Sequence, residues 1–174
     1  MKNGLGVRRR LALDIFSSIE DKRIAAHELR TIMWEATLRC NLACRHCGSD
    51  CRSEAAVPDM PAADFLRTID TITPHVVPNR VLIVITGGEA LMRRDIEEVG
   101  RALYDRGYPW GIVTNGMLLD ERRLESLLRA GLHTATVSLD GFAETHNRIR
   151  RNERSYERAL GALRLLARQP DILY

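Results

Sequence analysis

The 174-residue sequence contains no apolar run approaching the ~20 residues that a membrane helix needs, so no membrane partner is expected. It also lacks charge of one sign. Against 26 Lys and Arg stand 23 Asp and Glu, a formal net charge of +3, too small to argue for nucleic acid. The run Arg8-Arg9-Arg10 is short and reads as a solvated face. The stretch Leu11 to Phe16 is interrupted by Asp14 and is too short for a signal-peptide core, so a cytoplasmic location is expected. There is no low-complexity linker and no repeat of solenoid type. Cysteine is scarce: there are four, all between positions 40 and 51. In a cytosolic chain four cysteines are seldom a disulfide framework, because the compartment keeps thiols reduced, and their crowding points to metal.

What is present is ordinary for a globular chain, 45% hydrophobic and 28% charged residues, enough for one domain with a substantial core. From residue 31, apolar strands alternate with amphipathic helices. Strands are predicted at Thr31–Ala36, Val81–Ile85, Trp110–Val113 and Ala135–Leu139. The second is apolar throughout, as expected of a parallel strand covered on both faces. Between them, Phe65, Ile69 and Ile72 share a helix face that Pro74 stops. Ile96, Val99 and Leu103 share another, with Gly107 placed to close it. Asp120 caps a third helix carrying Leu124, Leu127 and Leu128, and Gly131 ends it. A fourth is predicted to present Tyr156, Leu160, Leu163 and Ala167. Ile172-Leu173-Tyr174 then begins a fifth strand. Four βα units and the start of a fifth predict an α/β fold with a parallel wrap, a partial TIM-like (β/α) barrel, since a closed one needs about 250 residues. Residues 1–30 are expected to form a leading helix. Residues 31–174 are expected to be a core domain cut within its fold.

The first strand runs into Cys40-Asn41-Leu42-Ala43-Cys44-Arg45-His46-Cys47. Three thiolates at this spacing can satisfy three irons of a [4Fe–4S] cube and leave the fourth open to a substrate, whereas fully ligated clusters mostly move electrons. Structural zinc usually takes four ligands, commonly as two separated pairs, and no second Cys-x-x-Cys pair exists. Cys51 is either a fourth ligand or a small buried residue. The pattern Cys-x₃-Cys-x₂-Cys resembles the signature of the radical S-adenosylmethionine (radical SAM) enzymes, and Cys-Asn-Leu-x-Cys-x-His-Cys is similar to their SPASM-type peptide-modifying branch. Where many members carry an aromatic residue before the third cysteine, this chain has His46.

That resemblance extends along the strand ends. Thr86-Gly87-Gly88-Glu89 follows strand two and resembles the family's Gly-Gly-Glu motif, which implies contact of Gly87, Gly88 and Glu89 with the amino group of the cofactor's methionyl part. Thr114-Asn115-Gly116 follows strand three, where turn chemistry alone would explain it, although the family often shows the same residues. Ser138-Leu139-Asp140-Gly141 and His146 to Arg151 resemble the Ser-x-Asp-Gly…His-Asp-x-x-Arg-Gly stretch, with Asn147 replacing Asp and Arg151 replacing Gly. This implies a ribose contact for Ser138 and a carboxylate contact for Arg150. Without the resemblance, Asp140 reads as a cap, His146 as structural and Arg148 to Arg154 as a solvated basic face.

The resemblance covers about residues 31–170 and implies a [4Fe–4S] cluster on Cys40, Cys44 and Cys47, S-adenosylmethionine as co-substrate, reductive formation of a 5′-deoxyadenosyl radical, and a flavodoxin- or ferredoxin-type electron donor. The substrate expected is a peptide or protein, with tailoring of a tetrapyrrole or other small cofactor as the alternative. Two further readings stay open: a non-enzymatic zinc module using all four cysteines, and a fragment that folds without activity.

Overall fold

In the computed structural model, residues 6–173 are described. The chain divides by internal contacts between Arg30 and Thr31 into two units. The first holds helix α1, Val7–Ala25, which closes on an Arg23–Glu20 ion pair of 2.7 Å.

The second unit alternates strand and helix in chain order: β1 (Thr31–Glu35), α2 (Ala62–Ile72), β2 (Leu82–Thr86), α3 (Ile96–Asp105), β3 (Trp110–Thr114), α4 (Glu121–Arg129), β4 (Leu132–Val137), α5 (Ala143–Arg150) and α6 (Ser155–Leu166). The four strands lie side by side as β1-β2-β3-β4, and every pair is parallel. A parallel pair cannot be closed by a tight turn and needs a crossover, which the helices supply. A fifth strand begins as expected: Leu173 bridges Thr134 in parallel, with Ala135 N–H donating to the Leu173 carbonyl at 2.8 Å. Tyr174 lies outside the described residues.

Period-two alternation decides which side of the sheet the helices cover. Ile83, Ile85, Trp110, Ile112 and Ala135 are buried together with Phe65 and Ile69 of α2, Val99 and Leu103 of α3, and Leu124 and Leu127 of α4. Leu82, Val84 and Thr86 of β2 are only half-buried, so this strand is fully covered on one face and not on both. The all-apolar run of residues 81–85 overstated the cover of its second face.

Two further expectations shift. Strand four starts and ends earlier than predicted, because Gly131 (φ +91°) turns the chain directly into Leu132, which pairs with Trp110. Ser138 therefore follows the strand. In the last helix the buried stripe is Ser155, Ala159, Ala162 and Leu166, one position off the Tyr156, Leu160, Leu163 stripe. Small residues face inward there since α6 passes close to Gly116: a Cβ on that glycine would lie 3.0 Å from the Ala159 Cα. Helix α5 was not anticipated, as its polar sequence buries only His146.

Candidate active site

All four strands point the same way, so their carboxyl ends share one edge of the sheet, where α/β enzymes place ligands. The loops leaving that edge line one cavity of about 210 Å³, with Cys40, Cys44, Cys47 and Cys51 from the first, Gly87 and Gly88 from the second, Asn115 from the third, and Ser138 and Arg150 from the last. Residues up to 110 positions apart in the chain are brought together here.

The cysteine loop is closed at its base by backbone pairing of Arg39 with Arg52, the Cys40 N–H donating to the Arg52 carbonyl at 2.6 Å. Cys40, Leu42 and Cys51 form a small buried cluster of their own, while Cys44 is half-buried and Cys47 exposed. Each of the first three sulfurs faces an N–H donor. Leu42 N–H lies 3.4 Å from Cys40 Sγ, the Arg150 guanidinium 3.9 Å from Cys44 Sγ, and Cys51 N–H 3.4 Å from Cys47 Sγ. That last bond is the main cause holding the Cys47 thiol below its ordinary value. Burial raises Cys40 and pushes Cys51 up to about 11, which leaves Cys51 the thiol least ready to ionise.

The glycines and Glu89 are packed closely against their own chain. A Cβ on Gly87, or on Gly88, would collide with backbone of Thr37 or Arg39. The space the two glycines leave is therefore taken by the cysteine loop: Gly88 N–H donates to the Thr37 carbonyl at 2.7 Å and Glu89 N–H to that of Arg39 at 2.9 Å. Glu89 is 1% exposed and is absent from the cavity lining. Its Oε1 accepts from the Thr114 hydroxyl at 2.7 Å and Leu91 N–H at 3.2 Å, and its Oε2 from Asn115 N–H at 2.7 Å. All three of these donors come from its own chain. Burial raises its pKa, and these hydrogen bonds oppose the shift.

On the far side of the cavity, Asp140 does not cap α5, whose first turn has no side-chain cap. It holds Arg150 instead, with Nε and Nη2 at 2.6 and 3.0 Å from its two oxygens, the chief reason its carboxyl lies below the usual range. His46 Nε2 lies 3.5 Å from the same carboxylate. His146, 1% exposed, accepts at Nδ1 from Asp140 N–H at 3.2 Å, and burial lowers its pKa. Ser138 is half-buried and tied at its N–H to the Thr114 carbonyl, 2.9 Å.

Two residues escaped the sequence reading. Asn41 Oδ1 accepts from Asn115 Nδ2 at 2.8 Å. Arg93, 4% exposed, donates to the Ala36 and Met60 carbonyls at 2.7 and 3.0 Å and stacks its guanidinium 4.8 Å from the Trp34 ring. Asn41 stands within the Cys-Asn-Leu motif without a role of its own there and Arg93 carries no local signal, because each is defined by a partner distant in sequence.

Three thiols on one cavity wall, each facing an N–H donor, are a donor set that fits a [4Fe–4S] cluster with one iron left for another ligand. Among the described residues, no three His, Cys, Asp or Glu side chains are grouped closely enough to hold a single metal ion. A cube takes its sulfurs at separated corners.

Parallel βα units with a cysteine loop at their carboxyl edge define a class, and residues 34–169 match the family described as the Radical SAM superfamily. The chain belongs to that superfamily. It is 34% identical over 138 residues to the AdoMet-dependent heme synthase of Methanosarcina barkeri, covering 79% of this chain and 39% of that protein. It is 29% identical over 136 residues to the PqqA peptide cyclase of Granulibacter bethesdensis, covering 78% and 36%. The crystal structure of Streptococcus suis SuiB bound to S-adenosylmethionine superposes with a TM-score of 0.60 at 18% identity, over 89% of this chain and 36% of SuiB, a likeness of fold. The chain thus spans about two fifths of the length of these relatives. No described helix is long and apolar enough to cross a membrane.

Proposed function

We propose that this chain carries the cofactor-binding part of a radical SAM enzyme, in which Cys40, Cys44 and Cys47 hold a [4Fe–4S] cluster and S-adenosylmethionine lies in the adjoining cavity. The observation that carries this reading is the convergence of those thiols with Gly87, Gly88, Ser138 and Arg150 on one cavity. When bound, such a cluster supplies the electron for reductive cleavage of the sulfonium, the source of a 5′-deoxyadenosyl radical. The chain's own residues orient and shield. The Gly87-Gly88 backbone forms the floor beside the cysteine loop. Ser138, on the cavity lining, is assigned to the ribose by its match to the family motif. Arg150, already held by Asp140, keeps N–H groups free for a carboxylate. Cys51 stays a buried thiol and leaves one iron without protein sulfur.

The substrate proposed is a peptide or protein, in line with the peptide cyclase among the relatives. Modification of a tetrapyrrole is the second reading, favoured by the greater identity to the heme synthase. A flavodoxin or ferredoxin is the proposed donor, because the potential required sits at the negative end of the ~−700 to +450 mV that such clusters span.

The test is anaerobic reconstitution of the full chain. About four irons per chain, a spectrum that changes on adding S-adenosylmethionine, and release of 5′-deoxyadenosine under strong reductant are expected. Cys44→Ala should abolish that release and Cys51→Ser should preserve it. A colourless protein holding one zinc per chain would instead establish the metal module.

A further inference from the structure

Glu89 sits in the family's Gly-Gly-Glu position, yet its side chain is buried and lies off the cavity lining. It is buried between the ends of β2 and β3, and both carboxylate oxygens are taken by Thr114, Asn115 and Leu91. The residue it holds most directly is Asn115. With its N–H fixed on Glu89 Oε2 and its Oδ1 accepting from Met117 N–H at 2.9 Å, Asn115 is left one amide group to deliver. Its Nδ2 reaches Asn41 Oδ1 at 2.8 Å and Cys40 Sγ at 3.8 Å. A chain of contacts therefore runs from the seam between two strands to the first cysteine.

We propose that Glu89 is a positioning residue: a buried clamp that joins β2 to β3 and aims Asn115 at Cys40 and Asn41, acting on the cysteine loop from behind and not on the cofactor directly. The inference rests on the proposed cluster site for its consequence, but the clamp itself is a property of the cluster-free protein.

The charge state and geometry make this testable with an isosteric change, Glu89→Gln. A carboxylate accepts at both oxygens, whereas the amide of a glutamine accepts at one end and donates at the other. In one orientation of that amide the new NH₂ faces the Asn115 N–H. In the other it faces the Leu91 N–H and a Thr114 hydroxyl whose oxygen already accepts from Gly116 N–H at 3.1 Å. Either orientation leaves a buried donor facing a donor, which is costly. Asn115→Ala does the complementary thing. It keeps the backbone N–H on Glu89 and removes the side-chain amide, both the delivered Nδ2 and the Oδ1 that accepts from Met117 N–H.

The experiment measures thermal unfolding of the cluster-free full chain, then the rate at which an iron chelator bleaches the reconstituted chain, then the dissociation constant for S-adenosylmethionine. Glu89→Gln is expected to lower the melting temperature of cluster-free protein by roughly 5 °C or more and to speed bleaching several-fold. Asn115→Ala is expected to lower that melting temperature by less than Glu89→Gln does and to speed bleaching comparably. In the double variant the two bleaching effects should not multiply, because they lie on one chain of contacts. If Glu89→Gln is too unstable to purify, Thr114→Val, which removes one donor without stranding charge, should lower the melting temperature in the same direction. The clamp is overturned if Glu89→Gln unfolds like wild type while binding S-adenosylmethionine tenfold more weakly, or if Asn115→Ala bleaches at the wild-type rate. Failure of wild type to take up iron would sink the proposed function instead, and the melting comparison would still decide the clamp.

Discussion

Single side chains at the cavity differ most in how exposed and how acidic their thiols are. Cys47 is exposed, with its sulfur held below the ordinary value first by the Cys51 N–H, while Cys40 and Cys51 are buried and raised, chiefly by burial. Thiolates alkylate and thiols do not. In cluster-free protein, Cys47 should react with iodoacetamide at least about tenfold faster than Cys40 or Cys51, read by peptide mass spectrometry. Asp140 gives a second residue-scale expectation. Its folded-state pKa is depressed by Arg150, so the stability it contributes is present above its unfolded value and is lost as pH falls through the folded one. Asp140→Asn should therefore cost stability near neutrality and show a shallower loss than wild type below about pH 4, checked by urea unfolding at stepped pH. Glu89, raised mainly by burial, has the opposite sign, and comparing the two proteins cancels it.

At the scale of elements, helix α3 shows packing overruling propensity. Gly100 lies mid-helix, where Ala is favoured by about 1 kcal/mol. Yet a Cβ there would collide with the Trp110 ring, which is fully buried and pinned by its Nε1 donating to the Ala130 carbonyl at 3.2 Å. Gly100→Ala should thus destabilise, by about 1–3 kcal/mol in chemical denaturation, despite the better helix former. Elements were also where the sequence could be read with mixed success. The strands β1 to β3 stood within a residue of their predicted bounds, since apolar runs bounded by turn residues mark them, and the Asp120 cap is met by its bond to Arg123 N–H at 2.7 Å. Helix α5 carried no apolar period to detect. The cavity-lining motifs were legible because each follows a strand in the chain. The direction of the Glu89 side chain was not, since a carboxylate after two glycines serves a ligand or a seam equally well until its neighbours from β3 are known.

For the molecule as a whole, two separate clusters of buried side chains matter. The main one lies between the sheet and helices α2, α3, α4 and α6, and the small one lies under the cysteine loop. Little of the main core depends on the thiols. Replacing Cys40, Cys44 and Cys47 together by Ala should abolish iron uptake while leaving the far-ultraviolet dichroism and cooperative unfolding of the cluster-free chain intact, its melting temperature falling by only a few degrees. Collapse of secondary structure in that variant would mean that the loop nucleates the fold.

The backbone bond from Arg45 N–H to the Ile149 carbonyl, 2.9 Å, ties the first strand's loop to the last turn of α5, and Arg150 stands 106 residues beyond the Cys44 it touches. On a ribosome adding about 5–20 residues per second, the cysteines emerge roughly 5–20 s before the wall they lean on. Through that interval the cysteine loop is without the α5 backbone and guanidinium that later brace it.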